Sequence, residues 1–87
     1  MSSFDAGKRR PITDVGDVVI QHRAPRVWEP CAITRHADVE GRPMRTYGSR
    51  DDAVAAAREL LLPGRRIYIR HHDDAIWEVV QADKRSG

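Results

Sequence analysis

Thiols are almost absent from this chain. Cys31 is the single cysteine, so no intramolecular disulfide framework can form and no zinc site can be built from several thiolates. Aromatic residues are sparse, at 6%: Phe4, Trp28, Tyr47, Tyr68 and Trp77. No apolar run approaches the roughly 18 residues of a membrane helix. The opening stretch, Met1 to Arg10, has no apolar segment behind its basic residues, so a secretory signal is not expected. A Gly-rich phosphate loop, a Ser-nucleophile motif and a zinc signature are all missing. These absences lead us to expect a cytoplasmic protein in a reducing setting, with no membrane association, no metal and no cofactor.

A strong charge of one sign is also missing. Lys plus Arg is 15 against 13 Asp plus Glu, a net charge of +2, which is not the footprint of a strong nucleic-acid binder. The small excess sits in residues 1–50, which hold nine Lys/Arg and six Asp/Glu. Thirteen of the basic residues are Arg, beside ten Ala. That composition is the mark of a GC-rich coding sequence before it is a nucleic-acid signal.

What is present is one small globular domain: 87 residues, 40% hydrophobic and 32% charged. A chain of this size buries about 60–65% of its unfolded surface. That core supports one sheet and one helix and leaves little room for an enclosed catalytic pocket, so an enzyme is not expected.

The element pattern is legible in parts. Residues 1–13 and 82–87 read as flexible tails, with 14–81 as a single domain. Val18-Val19-Ile20 centres a strand over 17–23, and Ala24-Pro25-Arg26 is a turn. Residues 27–36 form a second strand, which Pro30 marks as an edge or a bulged strand. Residues 44–47 offer a short third strand. Ser49 is a helix N-cap, and Asp52 three residues on completes a capping box. The helix body carries Ala53, Val54, Ala57, Leu60 and Leu61 as its apolar stripe and stops at Pro63-Gly64. Residues 67–71 and 76–81 are a closing hairpin, with two registers open: Ile69 opposite Val80, or Arg70 opposite Glu78. The expected fold is α+β: an antiparallel sheet of four to five strands with one helix on one face, in the order β-β-(β)-α-β-β. Apolar residues fall on both sheet faces, and one helix covers only one.

The segment Thr46-Tyr47-Gly48-Ser49-Arg50-Asp51-Asp52-Ala53-Val54-Ala55-Ala56-Ala57-Arg58-Glu59-Leu60 resembles the pre-helix strand and helix of small bacterial domains grouped as DUF2188. Residues 67–76 look like the hairpin that follows in that family, with Ala75 where the family usually has Gly. The resemblance spans roughly residues 17–80 and implies a fold, but no activity and no functional residues. The strand meander followed by a capped helix is also similar to the arm-type DNA-binding domain of phage integrases, which lays its sheet in the major groove. That likeness implies basic contacts in the first half and does not extend to the final hairpin.

Candidate chemistry is thin. His71 and His72 are adjacent, so on a strand they point to opposite faces and cannot share a metal. His22, His36 and Cys31 lack metal-ligand spacing, and a lone strand cysteine reads as a small buried hydrophobe. Asp73-Asp74 reads as a polar turn. No catalytic residue is assigned. The expected function is a non-enzymatic interaction or self-association module, a homo-oligomer or a binder of a protein partner, with Trp28, Tyr68 and Trp77 as interface residues. The alternative is nucleic-acid binding through Arg23, Arg26, Arg35, Arg45 and Arg70, with aromatics interleaved for base stacking.

Overall fold

Six strands and one helix make up the computed structural model, which describes residues 6–7, 11–35, 41–43 and 45–80. The Lys8-Arg9-Arg10 cluster, His36, Met44 and the 82–87 tail lie outside the described residues. The elements run β1 (Ala6–Gly7), β2 (Val18–Ala24), β3 (Val27–Ala32), β4 (Arg42–Pro43), α1 (Arg50–Leu60), β5 (Ile67–His71) and β6 (Ile76–Val80). The sheet order is β1-β6-β5-β2-β3-β4. Four full strands form its body, and a two-residue strand lies at either edge. The class is the expected α+β, with one helix on one face. No helix among the described residues is long and apolar enough to cross a membrane.

The sheet is mixed, not wholly antiparallel. β2 and β5 are parallel neighbours, with Val18 beside Ile67 and His22 beside His71. After β3 the chain returns along its outer edge through β4 and the Tyr47 bridge, and α1 then crosses one face so that β5 starts at the end where β2 starts. A central strand is covered on both faces, and β2 has the composition for it: Val18, Val19 and Ile20 are all fully buried. Gly7 pairs with Trp77, so part of the stretch expected as a tail is an edge strand.

The third strand is displaced from expectation. Arg42–Pro43 pairs with β3, while Tyr47 forms only an isolated bridge to Trp28. Trp28 exchanges both backbone hydrogen bonds with Tyr47 (2.9 and 2.7 Å), so its polar groups face the outer side of β3. Pro30, two residues on, aims its nitrogen at that same side, between the Tyr47 bridge and β4, where its missing N–H breaks no pair. The irregularity in the β2–β3 hairpin lies elsewhere, between His22 and Ala24.

Neither expected register of the final hairpin occurs. Ile67 pairs with Val80, Ile69 with Glu78 and His71 with Ile76, leaving a four-residue loop over 72–75. Ala75 sits in the left-handed region, at φ 58. The loop is centred on Asp73-Asp74, so the chain reverses one residue earlier than a register with Ile69 opposite Val80 requires.

The helix follows its local code. The Ser49 side chain accepts from the Asp52 N–H at 3.2 Å, and Asp51 and Asp52 lie in the first turn. Ala53, Val54 and Ala57 are buried against Val18, Ile20, Trp28, Ile67, Ile69 and Val80. The opposite face carries a second apolar cluster of Val19, Ile33, Tyr68 and Trp77, with Val79 beside it.

Candidate functional site

β2 and β5 carry matching five-residue patterns, Val18-Val19-Ile20-Gln21-His22 and Ile67-Tyr68-Ile69-Arg70-His71, and they align position for position. The parallel pairing therefore sets two histidines side by side at the C-terminal ends of the strands, on the helix face. Nδ1 of His22 lies 2.8 Å from Nδ1 of His71. Nε2 of His71 lies 3.1 Å from Oε1 of Glu78 on β6, and Oε2 of Glu78 accepts from Arg50 of α1 at 2.6 Å. The Trp28 indole stacks on His22, with ring centroids 3.5 Å apart and an interplanar angle of 9°. Its Nε1–H donates to the carbonyl of Pro25 at 3.3 Å. One polar string thus links β2, β5, β6 and the first residue of α1.

The hydrogen-bond chemistry of the string is constrained. Burial pushes the Glu78 carboxyl up, but hydrogen bonds from His71 and Arg50 and the Arg50 charge outweigh it and hold the group below the ordinary carboxylate range. An ionised carboxylate only accepts, so Nε2 of His71 carries a proton. A single proton then occupies the contact between the two Nδ1 atoms. The remaining nitrogen, Nε2 of His22, is buried without a hydrogen-bond partner. A buried orphan N–H is rarer in proteins than an under-satisfied acceptor. The favoured arrangement is therefore a neutral pair in which His22 donates from Nδ1 and keeps a bare Nε2. His22 Nε2 is enclosed. The open end of the string is Arg50 and Glu78, on the surface.

No group of three or more His, Cys, Asp or Glu side chains among the described residues is arranged to hold a metal. His71 and His72 do diverge, since Nε2 of His72 meets the buried Gln21 side chain on the other face. Cys31 is buried beside Val19, on the face away from His22, with its thiol directed to the Glu29 carbonyl at 3.4 Å. Asp74 accepts from the Ile76 N–H at 3.3 Å, as a turn residue does.

The three aromatics expected at an interface are buried within a single chain: Trp28 at 8%, Tyr68 at 6% and Trp77 at 7% exposure. This corrects the expectation that the second sheet face lies open for a partner. Tyr68 and Trp77 there pack with Val19 and Ile33, and Trp28 belongs to the helix-side core. Burial, and then the nearby Asp17 charge, push the Tyr68 phenol above its usual range, while Arg66 partly offsets them.

The five arginines considered for nucleic acid do not converge. Arg23 and Arg26 are at the β2–β3 turn, and Arg23 is paired with Glu29 at 3.1 Å. Arg35 follows β3 at the opposite end of that hairpin. Arg70 lies over the Trp77 ring on the second face. Arg45 lies over Tyr47 at the β3 edge and lines a groove beside α1 with Asp52 and Glu59.

A different surface stands out. Ile12, Val15 and Leu62 are exposed at 85%, 45% and 51%. The Leu62 N–H donates to the Gly16 carbonyl at 3.2 Å, which sets Leu62 against the turn that carries Val15. Asp14 and Arg65 form an ion pair at 3.5 Å beside them, and Arg66 is exposed next in sequence. Nothing along the chain groups these three residues: Ile12 falls in the expected tail, Val15 at the start of the expected domain and Leu62 just before the Pro63-Gly64 stop. No family model matches the chain, and neither do curated proteins or solved structures.

Proposed function

We propose that the chain is a non-enzymatic α+β module that associates with a second copy of itself through the Ile12–Val15–Leu62 end of the sheet. The observation that carries this reading is the exposure of those three large apolar side chains around Gly16. The aromatic residues that could otherwise anchor a partner are buried in the core. The charges beside the patch suit a two-fold contact: Asp14 is acidic, Arg65 and Arg66 are basic, and a symmetric copy brings each sign opposite the other. The resemblance to DUF2188 domains is compatible with this reading. Its usual glycine falls at Ala75, the position that takes the left-handed conformation. The setting proposed is cytoplasmic, without cofactor or membrane partner.

Sedimentation equilibrium of the full chain tests the reading. The expected result is a concentration-dependent dimer, shifted to monomer by I12K combined with L62K with the circular dichroism spectrum retained. A wild-type chain that stays monomeric at millimolar concentration, or a dimer indifferent to both substitutions, overturns it.

A further inference from the structure

We infer that the His22–His71 pair is a proton-operated latch that holds the C-terminal ends of β2 and β5 and the Trp28 stack together. The argument is a proton count. The two rings have four nitrogens; one proton sits between the facing Nδ1 atoms (2.8 Å), and one sits on Nε2 of His71 facing Glu78 (3.1 Å). A third proton has only one place left while the contact is intact: Nε2 of His22. This holds whichever ring formally carries the charge, because the shared proton can move from one Nδ1 to the other.

That nitrogen is buried and meets no acceptor. A protonated Nε2 there is an unsatisfied buried donor on a charged ring, among the costliest of polar defects. A fourth proton removes the Nδ1 contact outright, since both facing nitrogens are then donors. Every added proton therefore pushes His22 to rotate into water.

The surrounding groups do not supply a substitute acceptor. From β3 the neighbour is the Trp28 ring, whose face attracts a cation but accepts no conventional hydrogen bond. From β6 it is Glu78, already engaged by His71 and Arg50. From α1 it is Arg50, which adds positive charge to the string. His22 leaving its place uncovers Trp28, whose indole also anchors Pro25 in the β2–β3 turn. The latch thus couples acidification to the order of the β2–β3 hairpin end, the part of the sheet farthest from the proposed self-association surface.

The test uses the full-length chain with 15N-labelled histidine, followed from pH 8 to pH 5, the range in which imidazoles change charge. At pH 8 a scalar coupling between Nδ1 of His22 and Nδ1 of His71 is expected across the hydrogen bond, with His71 protonated at Nε2. On acidification the coupling is expected to vanish. Trp28 fluorescence, read in a Trp77→Phe background, is expected to shift to the red over the same interval. H22F keeps a ring against Trp28 and removes the proton site, so it is expected to abolish the red shift. Absence of the coupling at pH 8, its persistence at pH 5, or an unchanged red shift in H22F overturns the latch. If H22F does not fold, the coupling in the unsubstituted protein decides alone.

Discussion

The Asp17 carboxylate receives the backbone N–H of Arg66 at 2.8 Å on one oxygen and the N–H of Asp14 at 2.8 Å on the other. One nearly buried side chain therefore closes the turn before β2 and ties it to the residue before β5. The Val18 N–H completes the clasp by donating to the Arg66 carbonyl at 3.1 Å. The parallel β2–β5 pairing, which joins segments about fifty residues apart, starts at this point.

Replacing Asp17 with Ala strands both N–H donors in a partly buried place. Leaving a buried donor unsatisfied costs about 1–3 kcal/mol, so D17A is expected to lose about 2–4 kcal/mol. D17N, which keeps one acceptor oxygen, is expected to lose less. Urea denaturation followed by tryptophan fluorescence gives both values.

Gly16 lies beside that clasp at φ +98, and a Cβ there would stand 2.8 Å from both Leu62 Cδ1 and Arg65 Cγ. The left-handed backbone costs an alanine about 1–2 kcal/mol, and overpacking adds about 1–3 kcal/mol. G16A is expected to lower the melting temperature markedly. Gly48 has nothing within 4 Å of its virtual Cβ, so G48A is the tolerated control in the same thermal scan.

Ala75 closes the final hairpin at φ 58. Glycine takes that conformation without the alanine penalty of about 1–2 kcal/mol, and loses about 0.4–1 kcal/mol through the greater entropy of its unfolded chain. A75G is expected to stabilise the protein by up to about 1 kcal/mol, measured by the urea midpoint. A loss of stability would show that the loop holds Ala75 by a contact rather than by conformation.

Glu78 provides the acid-side dependence. Its folded carboxyl is held below the ordinary value of 4.5. A depressed carboxylate contributes stability that is fully present above the unfolded value and is lost as pH falls through the folded one. Stability is therefore expected to decline as the pH drops below about 4.5, and E78Q is expected to flatten that decline. At pH 7 the same substitution is expected to cost about 1–2 kcal/mol, because Arg50 and His71 lose a charged acceptor. Denaturant titrations at pH 3, 4, 5 and 7 read both effects.

The helix was legible in detail, since Ser49, Asp52 and the Ala53–Val54–Ala57 stripe act within a few residues of one another. The separation of His71 from His72 followed from strand alternation. The His22–His71 contact is not legible along the chain, because a β2–β3 hairpin brings His22 toward β3 and only the parallel β2–β5 pairing brings it to His71. The signal lay in the matched patterns ending in His22 and His71, which mean something only once β2 and β5 are neighbours. The hairpin register was missed for a related reason: Ala75 hides a left-handed residue that Gly or Asn would have advertised.

By itself, the amino-acid sequence determined what depends on neighbours along the chain: one small α+β domain, a capped helix, strands with apolar residues on both faces, and no disulfide. Tertiary structure decided what depends on segments far apart. It placed β5 beside β2 in parallel and drew Trp28, Tyr68 and Trp77 into the core. It also left Ile12, Val15 and Leu62 outside, and gave two histidines one proton to share. The physical reason is that local propensity acts over a few bonds, whereas strand order is chosen by how much apolar surface the whole sheet buries. Burial of Val18, Val19 and Ile20 on both faces of one strand requires a neighbour on each side and a layer above and below.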